Sequence, residues 1–331
     1  MRPNKSLVPL AAITAFLLLA VFTRSGENNH IDLDLGVLMI PDLKSSVDTI
    51  DSIVIRKGGD GMNLRREGDL WRCESADGYP VRNERVRRFL MQLSQLEQRE
   101  AKTSDPARHH AMNLALPDPD GNTTEVELLS GANTLFHLLL GKQQWQPKAT
   151  FARLAQKDQT YKCKGHIDFD INPVSWMQTT FCELQSGSIR KVQMGRMTLV
   201  PSSDSLGATP NVWALKTDGG EPISEAIQNS ARTSLPAWPV RLDFDSVRSR
   251  TEHPLSPESA VLRFETIEGQ LEVSLDLGDT ADTGAWCTID FNPGLGQKPQ
   301  AAWSQWSKWS FHLPDWRVSA VREIWEGLKG P

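Results

Sequence analysis

Two stretches of the chain carry the same landmarks in the same order. Ile50, Ile53 and Ile55 are followed by a charged, Gly-containing turn, Trp71 and Pro80; Ile189, Val192 and Met194 are followed by Trp213 and Pro222. The apolar spacing is identical in the two triplets, and each Trp precedes its Pro by nine residues. Such self-similarity limits the possible folds more than composition does, because each copy must be a unit that can be built twice.

The series continues beyond the two prolines. Val86, Phe89, Leu90, Leu93 and Leu96 recur at helical spacing over 81–97, with Pro80 placed to open the first turn. Ile223, Ile227, Ala231 and Leu235 give a shorter helix over 223–235. A loop follows each helix (109–121 and 252–259), then strands at 125–129, 134–141, 149–155 and 160–165 in one copy and at 260–267, 271–278 and 285–291 in the other. Each half ends on a Phe-containing turn into a helix, 169–177 and 311–325. The expected fold is α+β: an N-terminal transmembrane helix, then two tandem, diverged α+β repeat units with mostly antiparallel sheets. Each unit is read as a hairpin, a helix and a further sheet. The strand and helix order does not alternate as a doubly wound parallel sheet requires, so a nucleotide-binding fold of that kind is disfavoured. The expected boundaries are an anchor at 1–23, a linker and first strand region at 24–45, and repeat units at 46–188 and 189–331.

Residues 7–23 contain no charge and follow Arg2 and Lys5. A helix of this length spans about 25 Å, close enough to a hydrocarbon core of about 30 Å for its flanks to bridge the difference. The residues after it offer no small-x-small cleavage site and no lipoprotein Cys, so the segment reads as an uncleaved anchor. The basic flank favours a cytoplasmic amino terminus and puts the rest in the periplasm, at the inner membrane. A net charge of −5 is the wrong sign for a protein that neutralises phosphates, so nucleic acid is not an expected partner. Cys73, Cys163, Cys182 and Cys287 form no metal-ligand or CxxC pattern. Disulfides and small buried hydrophobes are both open to them.

The runs at 37–55, 70–96, 109–129 and 168–177 resemble the domain of unknown function family numbered 4340. The resemblance reads across residues 37–331 and consists of strand, Trp, Tyr-Pro and helix signals. One stretch departs from the family pattern: Ala111-Met112-Asn113-Leu114-Ala115-Leu116-Pro117 lacks the Gly that the family carries there. The resemblance implies a membrane-anchored bacterial protein encoded beside ABC transporter components of the kind associated with gliding motility. It implies an accessory or scaffold role, with protein partners in such a complex, and carries over no functional residue.

Asp118, Asp120 and Asn122 alternate as in a calcium loop, but the sixth and twelfth positions are Thr123 and Leu129, and a polar turn accounts for them. Ser188-Ile189-Arg190-Lys191 matches S-x-x-K without its companion motifs. His109 and His110 diverge as neighbours and lack a partner, and His253 sits in the corresponding loop of the second half. Arg82, Arg85, Arg87 and Arg88 read as a solvated helix face. The remaining cluster is Trp303, Trp306 and Trp309, whose spacing allows a contact surface for protein or glycan, with Lys308 and Arg317 available to stack on the rings. No catalytic residue, metal ligand or cofactor motif emerges, and a non-enzymatic protein is expected. The alternative is an envelope hydrolase or glycan-binding module with its site between the two units.

Overall fold

The computed structural model describes residues 36–185, 187–202, 212–219, 222–278, 284–294 and 306–329. After a short helix α1 (Leu43–Ser46), the first half runs β1 (Ser52–Lys57), β2 (Asp60–Glu67), β3 (Leu70–Cys73), β4 (Tyr79–Pro80), α2 (Asn83–Ser94), β5 (Glu97–Ala101), β6 (Thr124–Ser130), β7 (Asn133–Trp145), β8 (Lys148–Leu154) and β9 (Tyr161–Lys164). These strands form one nine-stranded sheet in the order β4-β3-β2-β1-β6-β7-β8-β9-β5. The second half runs β10 (Thr180–Glu183), β11 (Ile189–Met194), β12 (Met197–Pro201), β13 (Trp213–Thr217), α3 (Glu225–Ser234), β14 (Arg241–Asp243), β15 (Ser246–Ser249), β16 (Ala260–Thr266), β17 (Gly269–Asp276), β18 (Gly284–Pro293), β19 (Trp309–Pro314) and α4 (Asp315–Lys329). Its sheet has the order β13-β12-β11-β16-β17-β18-β19-β15, and β10 pairs separately with β14. Apart from β4, the two large sheets follow one plan: a reversed hairpin, a meander, and a strand from between the helix and the meander, β5 or β15, closing the far edge.

The apolar alternation explains the pairing. Ile53 faces Leu64 on one side and Leu128 on the other, and Ile55 faces Met62 and Val126. All six are buried, so the hairpin and the meander present one continuous inner face. In the second half Val192 opposes Phe264, Met194 opposes Leu262, and Val273 opposes Ile289. Val86, Phe89, Leu90 and Leu93 of α2 cover the first sheet, and Val318, Val321, Ile324 and Leu328 of α4 are the buried stripe of the last helix. Trp71 and Trp213 occupy matching strands and are each 8% exposed. All of these residues belong to one hydrophobic cluster shared by both halves.

This architecture corrects the expected α+β class. Of the described residues 43% are strand and 23% helix, so the fold is mostly antiparallel β-sheet. The meander is not a further sheet: β1 pairs with β6 and β11 with β16, because the inner faces match in register. Pro80 does not open a helix; it pairs with Arg72 in β4, and α2 starts at Asn83. Residues 173–176 make only a 3-10 turn. Among the described residues no helix is long and apolar enough to cross a membrane, which contradicts the expected transmembrane element; residues 7–23, on which that expectation rested, lie outside the described residues.

A strap crosses the outer face of the first sheet. Asp105 caps its 3-10 turn (Pro106–Met112) by accepting the Ala107 N–H at 3.0 Å. Buried Arg153 holds it down, donating to the carbonyls of Leu114, Ala155 and Lys157 at 2.9, 3.1 and 3.2 Å. Burial lowers the pKa of this guanidinium, and the charge of Asp158 opposes that shift only in part. The strap lies so close that a Cβ on Gly141 would stand 2.1 Å from Met112 O.

Candidate functional site

The two halves meet at an aromatic seam that a tight turn sets up. After β3 the chain makes a 3-10 turn over Glu74–Ala76, passes through Asp77 and Gly78 with positive φ (51° and 81°), and doubles back. Gly78 N–H then donates to Cys73 O at 2.8 Å and Tyr79 pairs with Cys73. This reversal aims the Tyr79 ring out of its own sheet and into the second half. There it meets Trp309 at 5.1 Å, Phe244 at 5.4 Å and Phe311 at 6.2 Å between ring centroids, each edge-on. Phe181 of β10 stacks on Phe311 at 4.1 Å and reaches Trp306 at 6.5 Å. Burial in this apolar setting pushes the Tyr79 phenol up to about 12.

A groove of about 280 Å³ opens along the seam, lined by Tyr79, Pro80, Val81, Arg82, Gln178, Thr180, Trp306 and Trp309. Arg82 is anchored at the rim: its N–H donates to Trp176 O and its Nη2 to Ser175 O, both at 2.8 Å. The Thr180 hydroxyl donates to Asp243, which also pairs with Arg241 at 3.0 Å. Burial raises the Asp243 pKa, but the Thr180 and Arg241 bonds outweigh it and leave the carboxyl below its ordinary value. The lining thus offers aromatic edges, one guanidinium, an amide and a hydroxyl. Among the described residues it contains no carboxylate, imidazole or thiol that could act as acid, base or nucleophile.

Two of the three candidate tryptophans stand in this groove. Trp309 is buried as the first residue of β19, and Trp306 is half-buried in the groove lining; Trp303 lies outside the described residues. Of the two cations expected to stack on these rings, Arg317 lies over Trp316 at 4.9 Å. Another guanidinium stack joins Arg248 to Trp286 at 3.8 Å. His109 is buried under the strap, bonded through Nε2 to Asp158 O at 2.8 Å, while His110 is exposed and bonds Ala107 O. Asp118 to Gly121 is a turn, with Asp120 N–H on the Asp118 side chain at 3.1 Å. Lys191 pairs with Glu265 at 3.0 Å. Arg85 leaves the solvated face to pair with Asp168 and lie over Trp176 at 5.4 Å. Tyr79, Phe181, Phe244 and Phe311 escaped sequence reasoning, since only the Tyr-Pro pair is marked locally.

All four cysteines are buried and free. Burial pushes the thiols up, to about 11 for Cys73 and about 12 for Cys163 and Cys182, and raises Cys287 as well.

Residues 71–234 match the family model of DUF4340, a domain of unknown function. The chain carries a DUF4340 domain. The DUF4340 segment begins at Trp71 and ends at the last residue of α3, so it spans the boundary between the two halves. It supplies Tyr79, Arg82, Gln178 and Thr180 to the groove, whereas Trp306 and Trp309 come from beyond it. The match is narrower than the 37–331 over which the resemblance was read. No curated protein and no solved structure matches the chain.

Proposed function

We propose that this protein is a non-enzymatic accessory or scaffold component of an ABC-type transport or gliding-like envelope complex, and that the seam groove is its contact surface for a protein partner in that complex. The reading locates the two sheets in the periplasm. The observation that carries it is the groove lining: aromatic edges beside an anchored arginine, the residue types in which binding energy concentrates, without converging catalytic groups. The transporter association implied by the family resemblance supports the same class. Glycan binding is the second reading, favoured by the Trp306 and Trp309 rings beside Gln178 and Thr180.

Gln178 is exposed on the groove, so Gln178→Trp fills it without entering the core. The full chain is expected to co-purify a transporter subunit, and the filled variant to recover far less of it with an unchanged circular dichroism spectrum. Undiminished recovery from the filled variant, or no transporter subunit with either protein, rejects the proposal.

A further inference from the structure

Two clusters among the described residues bring one His and two carboxylates within 4.8 Å of one another: Glu125, Glu127 and His137, and Asp77, Glu252 and His253. They differ in charge balance. In the first, Arg56 pairs with both glutamates, at 3.1 Å from Glu125, so a cation is already in place. In the second, the only ion-pair contact among the described residues is internal, His253 Nε2 to Asp77 Oδ2 at 3.9 Å. Two carboxylates drawn together without a Lys or Arg repel each other, and a cation between them removes that cost.

We propose that Asp77, Glu252 and His253 bind one divalent transition-metal ion of the borderline class represented by Zn²⁺, and that the ion clamps the two halves at the end of the seam. One imidazole nitrogen and two carboxylate oxygens are the donor set that suits such an ion, with water completing a tetrahedron. Metal–donor distances of about 2.0–2.1 Å put tetrahedral donors about 3.3 Å apart, so Asp77 and His253 must close by about 0.6 Å. The His253 side chain is 50% exposed and can rotate that far.

The carboxylate that receives it is fixed. Ser249 N–H donates to Asp77 Oδ2 at 2.8 Å, and Ser249 O accepts the His253 N–H at 3.0 Å, so one residue of β15 positions ligands from both halves. Asp77 comes from the turn that aims Tyr79 across the seam. An ion here couples that turn to the loop after β15 and stabilises the folded chain by mass action.

The test uses the full chain stripped with chelator and titrated with Zn²⁺ by calorimetry, with Co²⁺ absorption as a probe of tetrahedral coordination. One equivalent is expected to bind and to raise the melting temperature. His253→Gln and Asp77→Asn, the latter keeping an acceptor for Ser249 N–H, are each expected to lose about tenfold or more in affinity. Glu252→Gln serves if either fails to fold, and His137→Gln is expected to change nothing. Absence of binding up to about 100 µM metal, or affinity that survives all three ligand substitutions, overturns the proposal. So does loss confined to His137→Gln.

Discussion

Replacing Tyr79 by Ala removes the one ring of the first half that, among the described residues, contacts the aromatic cluster of the second. The ring is 8% exposed and contacts Phe244, Trp309 and Phe311 edge-on. Truncating a buried aromatic costs about 3–5 kcal/mol, and the residual exposure puts Tyr79→Ala at the lower end, about 3 kcal/mol. Each edge-on pair adds about 0.5–1.5 kcal/mol beyond area burial, so a double-mutant cycle with Trp309→Ala should return a coupling in that range. Tyr79→Phe keeps the ring and should cost under about 1 kcal/mol. Urea unfolding followed by tryptophan fluorescence measures the parent, the two single Ala variants, the double variant and Tyr79→Phe. A loss below about 1 kcal/mol for Tyr79→Ala, or zero coupling to Trp309, refutes a shared core at the seam.

Three further outcomes follow from the packing and the charges. Gly141→Ala places a Cβ on Met112 O and should cost about 1–3 kcal/mol while accelerating hydrogen exchange across the strap at 106–114. The hydrogen bond from Arg85 holds the Asp168 carboxyl below its ordinary value, so its stabilisation is complete above the unfolded pKa of about 3.9 and disappears as pH falls through the depressed folded value. Asp168→Asn should therefore melt below the parent at neutral pH and converge with it in acid; a gap that persists in acid contradicts the ion pair. The four buried thiols should resist iodoacetamide in the native chain and react on unfolding, as mass spectrometry of alkylated peptides would record.

Some of this architecture is written locally and some is not. Trp71 and Trp213 announce matching strands, and Phe89 and Leu93 announce a helix, because burial on one face leaves a period that neighbours share. Strand β5 is Glu97-Gln98-Arg99-Glu100-Ala101, without a buried residue, so nothing in its composition marks it. It exists because β9 pairs with it, Glu97 opposite Lys164 and Ala101 opposite Tyr161, from far along the chain. The sequence of β19 reads as the approach to a helix, yet Trp309, Phe311 and Leu313 alternate inward against β18 and β15. The groove was half legible: the spacing of Trp306 and Trp309 flagged one wall, while Tyr79 on the other is joined to it only by the turn at Asp77 and Gly78.

Placing a photo-crosslinking amino acid at Gln178 in the full-length protein interrogates the groove itself. A covalent adduct between that position and a subunit of an ABC transporter is expected, lost when Arg82 is reversed to Glu. Adducts of equal yield from an exposed position far from the seam, such as Leu116, or no transporter adduct from Gln178, would contradict it.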